Sequence, residues 1–138
     1  MVPVGTIVAF AGAEIPKDWL LCDGGAFDSE AYRTLFLVLD RPYVPDLRGQ
    51  FLRGLDPDGH VDPEGVGRRL LDPQYDQIGS HEHGYTRPWP TGVGGNLPGD
   101  GSVITSDRTS STGGKETRPR NVAVHYIIHA GAPGQGAE

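Results

Sequence analysis

Glycine and proline interrupt this chain so often that few stretches can form a long regular element. The 138 residues include 21 Gly and 12 Pro, which together make up almost a quarter of the chain. Both residues disfavour helix interiors, and proline also lacks the N–H that a central strand requires. The sequence therefore predicts a mainly β fold of short strands and many turns, with one short α-helix.

The one helix that the pattern predicts covers residues 30–39. Asp28 and Ser29 precede it as candidate N-cap residues. Apolar side chains then recur at the i, i+3, i+4, i+7 spacing of an amphipathic helix: Tyr32, Leu35, Phe36 and Leu39. The helix should end before Pro42, because the residue before a proline is restricted to extended conformations.

Two strands are predicted, one near each end of the chain. Residues 4–10 and residues 121–128 are rich in the β-branched and aromatic residues that favour strands. In the second segment the two-residue alternation predicts that Val122, Val124 and Tyr126 share one face.

Charge and hydropathy argue against two classes of partner. The net charge of −6 disfavours nucleic acid, because binding to phosphates requires a basic surface. No apolar run approaches the length that spans a bilayer, so membrane insertion is not expected. The apolar N-terminal run has no preceding positive charge and is interrupted by Pro3 and Gly5, so we do not expect a signal peptide.

A long polar segment, residues 79–117, lies between the two parts that carry core-forming residues. Gly, Ser, Thr, Pro and Asn dominate it. Such a segment cannot offset the entropy of ordering by burying its own apolar surface. It is therefore either disordered or ordered by other chains.

Within this segment, His81 and His83 form a His-X-His motif. On an extended chain the two imidazoles point to the same side. Two ligands are too few for most metals, but three chains around a threefold axis would supply six imidazoles. A solvated pair remains an alternative, and a cupin-like metal enzyme is another. The enzyme is disfavoured, because no carboxylate follows His83 before Asp100.

Other side chains give weaker signals. Tyr85 and Trp89 are large rings in polar surroundings, which predicts either stacking on a sugar or packing within an assembly. Cys22 is the only cysteine, so no intrachain disulfide is possible, and we expect a small buried hydrophobic residue. No catalytic residue is predicted. His125 and His129 share a strand face, where a pair of packed or surface histidines is expected.

Five segments of the sequence carry motifs of one known family. They are residues 2–10, 15–24, 32–36, 45–54 and 113–124. The fourth reads Pro-Asp-Leu-Arg-Gly-Gln-Phe-Leu-Arg-Gly, and the third reads Tyr-Arg-Thr-Leu-Phe. In these segments the chain resembles the phage tail-collar domain family, whose domain also occurs in bacterial proteins called microcystin-dependent.

The resemblance implies a non-enzymatic structural and adhesive component of a phage or of a phage-tail-like contractile particle. Members of the family are trimeric fibre or baseplate proteins, so the implied partners are two further copies of the chain, other tail or baseplate proteins and a host cell-surface polysaccharide. The polar segment would be ordered by intertwining of three chains. A secreted bacterial lectin-like protein and the cupin-like enzyme remain the alternatives.

The resemblance also assigns roles to individual residues. His81 and His83 would bind one divalent transition metal per trimer, with iron preferred and zinc or nickel as substitutes. The resemblance does not assign Tyr85 and Trp89, which stay candidates for receptor contact or for packing within the trimer because they are large rings in a polar segment. Asp46, Arg48 and Arg53 would fix turns or form ion pairs.

Differences in composition along the chain also divide it into regions. Residues 1–56 would form a collar-like globular domain. Residues 57–130 would form a loop, the His-X-His segment and a closing strand, and residues 131–138 a frayed tail. The expected location is a virion or an extracellular tail-like particle, after synthesis in the bacterial cytoplasm.

Overall fold

The computed structural model describes residues 1–80, 82 and 113–134. The chain divides into two compact units, one formed by Met1–Pro73 together with Asn121–Glu138 and the other by Gln74–Arg120. The described residues of the second unit contain no helix or strand. The division at residues 56 and 130 that the sequence suggested stays a prediction.

A three-stranded antiparallel sheet organises the first unit. In chain order its elements are β1 (Ile7–Phe10), β2 (Trp19–Leu21), α1 (Arg33–Leu39) and β3 (His125–His129). The strand order is β1-β3-β2, so the strand nearest the C-terminus lies in the centre. Ile128 of the central strand is paired with Ile7 of β1 on one side and with Leu20 of β2 on the other. The sheet therefore cannot be completed until both ends of the chain have met.

A β-bulge begins the pairing of β1 with β3. The Gly5 N–H donates to the His129 carbonyl oxygen at 2.9 Å, while the His129 N–H donates to the Thr6 carbonyl oxygen at 2.9 Å. Two residues thus oppose one, and Gly5 has a φ of 91°, which is the G1 type of bulge. A Cβ at Gly5 would also lie 2.7 Å from Val38 Cγ1, so glycine is required for both conformation and space.

One face of the sheet packs on α1 and forms the core. Leu35 and Leu39 are the buried residues of the helix, as the predicted apolar stripe requires. They lie in one cluster with four buried residues from the sheet and its flanking segments: Cys22, Val44, Ile128 and Ala130. The predicted burial of Cys22 is therefore confirmed.

The helix begins three residues later than the sequence predicted. The Asp28 carboxylate does accept backbone N–H groups, from Glu30 at 2.9 Å and from Ala31 at 3.2 Å. These bonds close a separate turn, and α1 starts only at Arg33. The helix ends at Asp40, which adopts the left-handed conformation with a φ of 53°, just ahead of Pro42.

The segments on either side of α1 also pair with each other. Two isolated antiparallel bridges join them, Asp23 with Asp46 and Ala26 with Tyr43. The Leu47 N–H donates to the Cys22 carbonyl oxygen at 3.0 Å. This pairing holds the start of the 45–54 motif next to the end of β2.

The C-terminal strand begins later in the chain than predicted. β3 begins at His125, whereas Val122 and Val124 are 88% and 43% exposed. The physical reason lies in β1, which ends at Phe10, so that residues 121–124 extend beyond the strand that would have paired with them. The N-terminal strand is likewise confined to Ile7–Phe10 within the predicted range.

These elements confirm the predicted mainly β fold with one short helix. Among the described residues, no helix is both long and apolar enough to cross a membrane. Intertwining of three chains stays a prediction.

Candidate functional site

The 45–54 motif forms an exposed turn that an ion pair holds in place. The Arg48 guanidinium donates to both oxygens of the Asp46 carboxylate, at 2.8 and 2.6 Å. The Gln50 N–H donates to the Leu47 carbonyl oxygen at 3.1 Å. Hydrogen bonds from Arg48 lower the pKa of Asp46 from 3.8 to about 2, and the same pair raises the pKa of Arg48. The predicted turn-fixing role of both residues is therefore observed.

A small open groove of about 240 Å³ lies beside this turn. Its walls are mostly apolar and come from the end of β2 and the bridged segments: Leu20, Leu21, Asp23, Gly25, Ala26, Phe27 and Val44. The Asp23 carboxylate accepts the Gly25 N–H at 2.9 Å. The lining of the groove thus combines apolar side chains with the Asp23 carboxylate.

Cys22, the one cysteine of the chain, is buried. Cys22 is 2% exposed, and burial, followed by the charge of Asp23, raises its pKa to about 11. A thiol with such a pKa remains protonated at neutral pH and is a poor nucleophile. Its role is packing in the core.

A second charged cluster follows the turn and was not foreseen from the sequence. We call it the Asp62 clasp, formed by Arg53, Asp56, Asp62 and Arg68. Asp62 is only 3% exposed. Its carboxylate accepts Arg68 at 3.0 Å and pairs with Arg53 at 3.2 Å. The ion-pairing role predicted for Arg53 is thus observed, with Asp62 as its partner.

Asp56 completes the clasp through backbone groups. Its carboxylate oxygen Oδ2 accepts the N–H groups of Val61 at 2.7 Å and of Asp62 at 2.9 Å. These hydrogen bonds, the one from Asp62 first, lower the pKa of Asp56. A Cβ at Gly65 would collide with the Asp56 carbonyl oxygen, so the loop can close only with glycine there.

The charges of the clasp compensate one another and do not form a metal site. Two guanidinium groups surround the buried carboxylate, and cations of this kind repel a metal ion. No group of three or more His, Cys, Asp or Glu residues in the described part of the chain is arranged to hold a metal. The clasp is therefore a device that shapes the loop.

The two histidines of β3 differ in their surroundings. His125 is exposed, whereas His129 packs against Trp19 with ring centroids 5.1 Å apart. His129 Nδ1 is buried and has no hydrogen-bond partner among the described residues, and the same holds for Asp18 Oδ1. The expected pair of packed or surface histidines thus resolves into one of each kind.

Four residues were predicted from the sequence as site residues. His81, His83, Tyr85 and Trp89 fall outside the described residues. Their assignment to metal binding and receptor binding stays a prediction.

Comparison with known proteins gives three findings. The family model of the phage tail collar domain matches residues 5–52, which include β1, β2, α1 and most of the 45–54 motif. Protein RhiB of Rhizobium leguminosarum bv. viciae is 34% identical over 141 residues, covering 81% of this chain and 64% of RhiB. The chain therefore spans slightly less than two thirds of that relative.

The third finding is a relative of similar extent. The putative uncharacterized protein StfE of Escherichia coli (strain K12) is 30% identical over 159 residues, covering 93% of this chain and 88% of StfE. This match extends well beyond the family model. The chain thus shares the collar model over residues 5–52 and most of its length with StfE.

Proposed function

We propose that this chain, which belongs to the phage tail collar domain family, is a non-enzymatic structural and adhesive part of a phage or phage-tail-like contractile particle. The observation that carries the proposal is the match over residues 5–52, which covers β1, β2, α1 and the ion-paired turn described above. The protein would be made in the bacterial cytoplasm and act in a virion or an extracellular tail-like particle.

The proposed assembly is a homotrimer that joins other tail or baseplate proteins. Large apolar side chains are exposed along the chain that follows the core: Phe51, Leu52, Val61, Val66, Leu70, Tyr75 and Ile78. So many exposed apolar groups in one segment favour burial against another chain. The polar segment 79–117 supports the same proposal, because intertwined chains can satisfy each other's backbone groups.

His81 and His83 would hold one divalent transition metal on the threefold axis. Six neutral imidazoles form a donor set that suits iron(II), and zinc or nickel can replace it. When bound, such an ion supplies a structural crosslink between three chains. The role of the two histidines is to hold the extended segments together at one point.

Tyr85 and Trp89 would contact a host cell-surface glycan. Their rings can stack on the apolar faces of sugars. The other role open to them is packing inside the trimer, and the two roles predict different losses on substitution.

The mass of the untagged full chain in solution tests the assembly. Light scattering should give three times the chain mass at micromolar concentration, and a stable monomer would contradict the proposal. Elemental analysis should give one metal per three chains. A ratio of one metal per chain would support the cupin-like enzyme instead.

Substitutions separate the two predicted sites. The double variant His81→Ala, His83→Ala should no longer bind the metal. His60 is an exposed histidine in the loop between Asp56 and Asp62, and His60→Ala should still bind it. Trp89→Ala should weaken binding to host cells while the trimer persists, with the exposed Tyr43→Ala as control. Loss of the trimer on Trp89→Ala would indicate the packing role.

A further inference from the structure

β1 has an outer edge that the described part of the chain leaves unpaired. In an antiparallel pair, alternate residues direct both backbone groups to the partner strand. The His129 N–H donates to the Thr6 carbonyl oxygen, so Thr6 is one of the residues that face β3 with their backbone groups. Because such residues alternate along the strand, the register of β1 and β3 makes Val8 and Phe10 the next residues hydrogen-bonded to β3. Ile7 and Ala9 therefore direct their N–H and C=O groups away from β3, where no described group meets them.

This edge lacks two of the features by which proteins protect a free strand, namely charged residues and proline. Residues 6–13 contain no charged residue and no proline. Val8 is partly exposed at 37%. A strand with free donors, free acceptors and uncharged side chains is suited to receive another strand.

The opposite edge of the sheet differs in this respect. On β2, the Trp19 N–H donates to the Pro16 carbonyl oxygen at 3.2 Å, and the Leu21 oxygen accepts the Asp23 N–H at 3.0 Å. Local turns thus occupy two of the groups that face outwards there. Of the two sheet edges, β1 is the more open to a partner.

The chain contains a segment that matches this edge. Residues 122–124 read Val-Ala-Val, are exposed, lie outside any helix or strand, and have no backbone hydrogen-bond partner among the described residues. They carry no charge, and their β-branched residues favour a strand. Three residues are also enough to engage the four free groups of Ile7 and Ala9.

The same copy cannot place this segment on that edge. Val124 is bonded to His125, which faces Phe10 on the inner side of β1. Reaching the outer side would require the chain to cross β1 within a few residues. We propose that the outer edge of β1 pairs with residues 122–124 of a neighbouring copy of this chain. Each copy then gives one strand and receives one, which is the head-to-tail contact that closes a ring of three.

This inference rests on the proposed trimer and adds the residues of a subunit contact. Amide hydrogen exchange on the assembled full chain tests it directly. The Ile7 and Ala9 amides should exchange at least about tenfold more slowly in the assembly than in diluted monomer, because pairing protects them. The Val8 amide, bonded within the chain, should be protected in both and serves as the internal control.

Two variants test the edge and its occupant separately. Ala9→Pro removes an N–H that points away from β3, so it should abolish the assembly. The Ile128 amide should stay protected from exchange in this variant. Ala13→Pro, which lies outside β1, should leave the assembly intact. Val122→Lys with Val124→Lys should release the protection of Ile7 and Ala9, and the exposed Val2→Lys should not.

The outcomes distinguish this inference from the function on which it rests. A trimer in which Ile7 and Ala9 exchange freely overturns the strand pairing and leaves the trimer intact. Protection that survives the double lysine variant overturns the assignment of residues 122–124 as the occupant. A chain that is monomeric at every concentration overturns both proposals.

Discussion

The sheet-and-helix core and the Asp62 clasp are neighbours in sequence but are held together in different ways. In the core, β1 pairs with β3, so that Ile7 faces Ile128 from the other end of the chain. In the clasp, Asp62 binds Arg68, only six residues away, and no helix or strand is present. The core is stabilised by apolar burial and the clasp by carboxylates that accept N–H groups.

This difference predicts that the two regions respond to different conditions. Apolar burial does not depend on the ionisation of any side chain, so the core should persist in mild acid. The clasp depends on charged hydrogen bonds and should open first. Because its contacts are local, opening need not unfold the core.

Removing a core side chain should give the largest effect. Leu35 is a residue of α1, and its side chain is completely buried in the core cluster that includes Ile128 of the sheet. Leu35→Ala should lower the free energy of unfolding by about 2–5 kcal/mol, because a cavity remains where the side chain was. Chemical denaturation measures this loss. Leu37→Ala, at an exposed position of the same helix, should change it by less than about 0.5 kcal/mol. Equal losses in the two variants would contradict the described packing of α1.

Removing the central carboxylate of the clasp should have a smaller and more local effect. Asp62→Asn removes the buried carboxylate charge that pairs with Arg53 and with the mostly covered Arg68. The expected cost is about 1–3 kcal/mol, confined to the loop. The rate of tryptic cleavage after Arg68 should rise, while the core amides keep their protection. Asp58→Asn, at an exposed position of the same loop, is the control. A cleavage rate unchanged by Asp62→Asn would show that the clasp does not hold the loop.

The core was largely predictable because its signals are periodic. The spacing of Leu35 and Leu39 predicted both the helix and its buried face, and the β-branched runs predicted β1 and β3. The boundaries were less predictable, since they depend on partners. Residues 121–124 have the composition of a strand, but β1 ends before it can reach them.

The clasp was not predictable from local patterns. Residues 57–73 form turns with no helix or strand, and the Gly59 N–H donates to the Asp56 carbonyl oxygen at 3.2 Å. Nothing in the spacing of Arg53, Asp62 and Arg68 shows that the three charges meet. That Asp62 is buried, although it lies in a polar loop, is seen only in the three-dimensional structure.

Acid should open the clasp through Asp56. Hydrogen bonds from Asp62 and Val61 hold its pKa below the ordinary value of 3.8 in the folded protein. The stabilisation is therefore complete above pH 3.8 and is lost as the pH falls through the folded pKa. The amide resonances of Val61 and Asp62 should shift together in that range. Asp56→Asn should abolish this transition, and Asp58→Asn should leave it unchanged. A transition that survives in Asp56→Asn would assign it to another group.

The smallest expected effect concerns one carboxyl group in the exposed turn. Hydrogen bonds from Arg48 lower the pKa of Asp46 to about 2, so Arg48→Gln should raise it towards 3.8. A carboxyl carbon titration by NMR measures the change. Arg53→Gln is the matched control, because Arg53 pairs with Asp62 and not with Asp46. Both partners are exposed, at 68% and 48%, so the variant should scarcely change the stability of the fold. A large loss of stability on Arg48→Gln would mean that the turn supports the core, and the contrast between core and charged loops would then not hold at residues 45–54.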